Sequence, residues 1–263
     1  MNILLLVFFI FAIAFTMTMT GKGGGNFYVV CLVAAGLGMH QASTMGQFIL
    51  IITAGAGILI FQKNKLIDYK LALVIDPPTD LMAFVGGYFS GYLEGKYLKY
   101  VFTALLLAAA LLMLVKVREN IFKPKNKFGY WHRTFGNYSY VVNLRLALPI
   151  TALVGLASGA LGISGGSFKV PLMVLLCGVP VPVAIGTSSA MVAVTALMGF
   201  IGHAIQGHFV PHMALPLAAA AAVGGIFGGK LAIKTKPKRL KQVFAFTTFA
   251  AAVFMLINSL LMP

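Results

Sequence analysis

Residues 20–27 read TGKGGGNF and residues 159–171 read GALGISGGSFKVP, and apolar sequence runs on both sides of each. Glycine makes unwinding a helix sterically cheap and lets a ligand approach the main chain. Unwound backbone at membrane depth is costly unless it lines a cavity or is enclosed by protein. A helix restarting after such a break directs its first N–H groups, and the positive end of its dipole, into the gap. Restarts are expected near Asn26 and Ser167, and two helix starts facing each other suit a small anion. The anion site expected on these grounds takes Lys22, Gly23, Gly24, Gly25 and Asn26 from the first stretch. From the second it takes Ser164, Gly165, Gly166, Ser167 and Lys169. Small-residue helix packing is the competing explanation, and it is the one favoured for the isolated VGGIFGG further on.

A lysine at membrane depth is expensive and is a functional candidate by default. Snorkelling toward an interface is the alternative for Lys22 and Lys169. Two further polar stretches, ASTMGQF at 42–48 and AIGTSSAM at 184–191, follow the breaks at similar distances. Thr44, Thr187 and Ser188 are expected either to cap helices that begin there or to donate to substrate oxygens. His40 and Gln47 complete the set of candidate contacts. Asp76 and Asp80, in VIDPPTDLMAF, admit two readings. They are coupling carboxylates that take up a proton, or the N-cap and first turn of a helix opened by proline; capping is favoured. His203, His208 and His212 fall in GHAIQGHFVPHM without an acid or cysteine, so a surface loop is expected rather than a metal site. Cys31 and Cys177 lie in apolar runs and read as packing residues. No metal ion, cofactor or catalytic group is expected.

The elements that must hold these residues are membrane helices. Of 263 residues, 60% are hydrophobic and 10% charged, and mean hydropathy is +0.95. Soluble domains carry about a quarter charged residues, so the chain is expected to be a polytopic membrane protein. The first apolar run has no basic residue before it and reads as a retained helix rather than a signal peptide. The net charge of +15 sits in loops between spans, which is the positive-inside pattern and not a nucleic-acid surface.

Candidate spans are residues 3–20, 26–38, 42–62, 71–93, 98–116, 142–162, 167–179, 183–205, 212–233 and 242–260. The second and seventh are too short to cross alone and read as half-helices. Basic loops from Lys116 to Arg145 and from Lys230 to Lys241 are expected at the cytoplasmic face, with uncharged GHAIQGHFVPHM outward. Tyr130 and Trp131 fit an interfacial aromatic belt near anionic lipid.

The halves resemble each other. Gly21, Gly24, Gly25 and Phe27 fall on Gly162, Gly165, Gly166 and Phe168. After a one-residue shift, Ala42, Thr53, Ala54 and Gly57 fall on Ala184, Thr195, Ala196 and Gly199. Further on, VGGYFSGYL parallels VGGIFGGKL, and LKYVF parallels LKQVF. The loop after Ile60 is basic whereas its counterpart after Ala204 is not, so equivalent loops face opposite sides and each half has an odd number of crossings. The expected fold is therefore an all-α polytopic membrane protein with discontinuous helices at the Gly-rich breaks. It is an inverted repeat of about five spans per half with both termini outside; about eight spans stands as the alternative. Its parts are 1–117, a connector at 118–141, and 142–263.

GISGGSFKVPLMVLLCGVPVPVAIGTSSAM resembles the signature of the TauE/SafE family of sulfite and organosulfonate exporters. The matching residues are Gly162, Gly165, Gly166, Val170, Pro171, Leu172, Gly178, Ala184, Gly186, Thr187 and Ser188. The chain departs at Ser164, where the family often has a third glycine, and at Val29-Val30, where Val-Pro would stand. The resemblance implies export of sulfite, sulfoacetate or a related sulfonate. A non-enzymatic transporter of a bacterial inner membrane is expected, with one bundle moving against another around the paired helix ends in alternating access. Its partners would be that anion and membrane lipid, with no nucleic acid; homo-oligomerisation is left open. Composition and spacing alone point only to an anion. Another small anion, or a non-catalytic membrane subunit of an enzyme complex, are the alternatives.

Overall fold

The computed structural model of the chain describes residues 3–94, 128–162 and 165–236, with single positions or short runs between 96–107 and 238–257. Its helices are α1 (Ile3–Thr18), α2 (Gly25–Ala34), α3 (Met39–Lys63), α4 (Tyr69–Ile75) and α5 (Pro77–Ser90). After strands β1 (Tyr130–Phe135) and β2 (Tyr138–Asn143) come α6 (Leu144–Leu161), α7 (Gly166–Leu176), α8 (Val181–Ile205) and α9 (Pro211–Ala232). Four of them, α3, α6, α8 and α9, are long and apolar enough to cross a membrane, while α1 and α2 are shorter apolar helices. The fold is thus mostly helical. The expected spans at 98–116 and 242–260 lie largely outside the described residues.

The packing is crossed between the halves. The long helices α3 and α8 pack on each other at the centre, α9 and α1 stack beside α3, and α5 and α6 stack beside α8. Small residues permit these approaches, as close backbone packing between apolar helices requires. Gly224 and Gly228 of α9 abut Phe11 O and Phe15 O of α1, while Gly155 and Gly159 of α6 abut Thr79 O and Ala83 O of α5. VGGIFGG is accordingly a packing face. Outward positions such as Leu4, Leu59, Leu73 and Leu153 remain exposed, as lipid-facing leucines do.

Two elements differ from the sequence expectation. The stretch at 71–93 divides at Asp76 into α4 and α5, because Pro77 and Pro78 have no N–H with which to continue the α4 ladder. The connector ends in an antiparallel hairpin, with Tyr130 opposite Asn143 and Arg133 opposite Tyr140. Gly136 takes a φ of 55° at the first turn position, where a two-residue hairpin favours glycine.

Candidate anion site at the glycine breaks

The two glycine breaks meet. Gly21, Gly23 and Gly24 take φ of 72°, 68° and 95° between α1 and α2, and Gly162 takes 65° after α6. This left-handed region penalises a Cβ and stops each helix where the sequence said it would. A Cβ on Gly166, the first residue of α7, would stand 2.9 Å from Lys22 Cα and 3.3 Å from Gly21 O. The start of α7 therefore rests on the backbone of the other break.

Each break also packs against the long helix of the opposite half. A Cβ on Gly21 would come 2.5 Å from Ile185 O of α8, and one on Gly162 would come 2.6 Å from Ser43 O of α3. Further along, Leu50 of α3 closes on Gly23, and Val192 of α8 closes on Gly166. Ile185, Ser188 and Val192 are spaced three and four apart, so they share one face of α8. Ser188 on that face is fully buried, and its Oγ has no hydrogen-bond partner among the described residues.

The starts of α2 and α7 have glycine at the N-cap, Gly24 and Gly165, and neither has a side-chain cap. First-turn amides of both helices thus lack the side-chain acceptor that usually satisfies them. Gly25 and Asn26 open α2 and are buried. Ser167 lies in the first turn of α7, and Ser164 falls outside the described residues.

Both lysines are interior. Lys22 and Lys169 are each 1% exposed, which removes snorkelling as their explanation. The Lys169 stem runs back along the break: a Cβ on Gly165 would meet its Cε at 3.1 Å and Ser158 Oγ at 3.3 Å. Lys169 Nζ stands 2.5 Å from Asp76 Oδ1 as an ion pair rather than an aligned hydrogen bond. It also donates to Thr195 Oγ1 at 2.5 Å, and Thr195 Oγ1 lies 2.6 Å from Asp80 Oδ1. The capping reading of the two acids is corrected on this point. Asp76 occupies the N-cap position of α5 with Asp80 in the first turn, but the Asp76 side chain makes no cap hydrogen bond. A buried ammonium is the stronger attraction.

Other candidates are redistributed. Thr44 and Thr187 begin no helix: α3 starts at Met39 and α8 at Val181, because Pro180 and Pro182 move that start upstream. Thr44 Oγ1 bonds back to His40 O at 2.8 Å, and Thr187 Oγ1 accepts the Asp68 N–H at 3.0 Å. Gln47 Nε2 reaches Ser158 O and Gly159 O of α6, at 3.4 and 3.3 Å. The ring of His40 stacks on His208 with centroids 4.9 Å apart. His203 is not in a surface loop. It is fully buried in α8, with Nδ1 3.0 Å from Ser90 Oγ and Nε2 2.8 Å from Gly159 O. Histidine's two ring nitrogens find partners there that the loop would not supply.

Two groups had escaped the sequence reading. Thr195 was visible only as a repeat match to Thr53. Asp68 was unremarked, yet it caps α4 through Leu71 N, pairs twice with Arg133 at 2.9 and 2.8 Å, and accepts from the Tyr140 hydroxyl. Burial opposes ionisation of Asp68, but the Arg133, Tyr140 and Leu71 bonds outweigh it and hold its carboxyl below the usual carboxylate range.

The family described as "Sulfite exporter TauE/SafE" matches residues 6–255. The probable membrane transporter protein YunE of Bacillus subtilis is 28% identical over 201 residues, covering 74% of this chain and 72% of that protein. YdhB of the same organism, also a probable membrane transporter protein, is 33% identical over 113 residues, 43% of this chain and 46% of its own. A probable membrane transporter protein of Xylella fastidiosa (strain Temecula1) is 24% identical over 245 residues, 90% of this chain and 88% of its own. No solved structure matches. With nearly its whole length matched and four helices long enough to span, this chain is a multi-pass membrane transporter belonging to the sulfite exporter TauE/SafE family.

Proposed function

We propose that the protein exports small sulfur-containing anions, such as sulfite, sulfoacetate or related organosulfonates, bound near the bilayer midplane where the two breaks meet. The observation that carries this reading is the contact of Gly166 with Lys22 Cα, flanked by two buried lysines and two helix starts without side-chain caps. Fixed N–H dipoles and an ammonium at low dielectric are what a desolvated oxyanion needs in place of water. Ser188 Oγ, buried on the α8 face that also carries Ile185 and Val192, is the side-chain donor we assign to sorting one oxyanion from another.

In this reading residues 1–117 and 142–263 are inverted repeats joined by 118–141. The crossed contacts support it: Gly21 meets Ile185 as Gly162 meets Ser43. Alternating access would move α3 and α8 with their flanking helices about that crossing. With the basic loops cytoplasmic in a bacterial inner membrane, an inside-negative potential favours anion exit by about 2.3 kcal/mol per charge per 100 mV. The test is exchange of labelled sulfite and sulfoacetate by reconstituted protein, against acetate, oxalate and nitrate as competitors. Exchange inhibited by sulfonates and not by carboxylates is expected. Exchange blocked equally by oxalate or nitrate would replace the sulfur anion with a broader one, and no exchange at all would end the transport reading.

A further inference from the structure

We propose that Asp80 is the proton-carrying carboxylate of this transporter and that it loads its proton together with the anion; this rests on the anion-transport reading above. Lys169 pairs directly with Asp76, whereas Asp80 meets the cluster through Thr195 Oγ1. With Asp76 matched by the ammonium, ionised Asp80 leaves the group one net negative charge and protonated Asp80 leaves it neutral. Asp80 is also the more accessible acid, being partly buried where Asp76 is 4% exposed.

The Thr195 hydroxyl has one hydrogen and two acceptors within reach, Asp80 Oδ1 at 2.6 Å and Met191 O at 2.9 Å. While Asp80 is ionised, that hydrogen points to Asp80. When Asp80 takes a proton, it donates to Thr195 Oγ1, and the threonine hydrogen turns to Met191 O. Both states are hydrogen-bonded without moving a heavy atom.

Charged and titratable groups facing Asp80 are few among the described residues. Lys169 comes from α7 and Asp76 from the α4–α5 junction. Lys70 of α4 and Arg145 of α6 are exposed, and His203 of α8 sits against Ser90 at the far end of α5. The acid–lysine cluster joins the two halves, Asp76 and Asp80 coming from the first and Lys169 and Thr195 from the second. The repeat alignment sets Tyr28 and Thr53 opposite Lys169 and Thr195, and Tyr28 Oη lies 2.8 Å from Thr53 Oγ1. Ala214 and Ala218 stand where Asp76 and Asp80 do. The repeat-related place therefore holds a neutral bridge, Tyr28 to Thr53, where this cluster holds charge.

An anion drawn to Lys169 and an ionised Asp80 repel each other, so proton and anion bind together and travel the same way. A dianion leaving with one proton still moves one net negative charge outward, in the direction that an inside-negative potential favours. Proteoliposomes with a lumenal pH dye, potential clamped, receive labelled external sulfoacetate at pH 7, where both of its acid groups are ionised. The wild type is expected to acidify the lumen as label enters. Asp80→Asn is expected to keep exchange of label at equal concentrations while acidification falls about tenfold, and Thr195→Val to lower the proton-to-anion ratio. Wild-type exchange without a pH change, or with alkalinisation, overturns the proposal while leaving anion transport standing. Wild type without exchange overturns both. Asp80→Asn that still acidifies overturns it. If Asp80→Asn does not reach the membrane or loses exchange, an unchanged ratio in Thr195→Val overturns it.

Discussion

The backbone of Lys22 lies directly against Gly166, so that a Cβ added there would stand 2.9 Å from Lys22 Cα. Residues 144 positions apart in the chain thereby bring two interrupted helices to one point. Only backbone of this kind, buried yet without a side-chain cap, can present N–H groups to a ligand at membrane depth.

Replacing Gly166 with leucine should therefore separate the breaks. The side chain would need the space of Lys22 Cα and of Val192, 2.8 Å from the Cβ position. Labelled sulfoacetate binding is expected to fall at least about tenfold, with membrane insertion and detergent-soluble yield retained. Gly55→Leu is the control, since nothing lies within 4 Å of a Cβ there. Equal binding by the two variants would remove the contact from the site.

Both breaks were legible in the sequence because glycine clusters beside polar residues are anomalous in an apolar run. The stops of α1 and α6 follow from them. The start of α5 was legible in Asp76-Pro77-Pro78, although the span at 71–93 was drawn continuous across it. Partnerships were not legible. Nothing local shows that Asp76 turns from capping toward Lys169, 93 residues away, or that Arg133 in a basic loop has Asp68 as its partner. His203 misled for the same reason: its neighbours in sequence look like a loop, and its burial comes from α5 and α6.

Breaking the Lys169–Asp76 pair should be costly, because it leaves an uncompensated charge in the interior. Lys169→Met is expected to destabilise the protein by about 3–5 kcal/mol, the usual loss when one partner of a buried pair is removed. Adding Asp76→Asn removes the stranded charge and should restore most of that stability, without restoring sulfoacetate binding. Denaturant titration in detergent and binding of label measure the two separately. Recovery of binding along with stability would make Lys169 a structural residue only.

The Asp68–Arg133 pair ties the hairpin to the membrane helices, since Asp68 caps α4 and its N–H donates to Thr187 of α8. Arg133→Met should cost about 1.5–3 kcal/mol, the range for hydrogen bonds to a charged group, and expose the hairpin to protease. The pH dependence follows from the sign of the shift. Asp68 is held below its ordinary value, so the unfolded chain binds its proton first as pH falls. The contribution is complete above the unfolded carboxylate value of about 3.9 and is lost below it, as pH falls through the folded value. Between pH 5 and 8 the stability gap between wild type and Arg133→Met should stay constant, and it should close only in stronger acid. A gap that already narrows between pH 7 and 5 would assign the difference to another group.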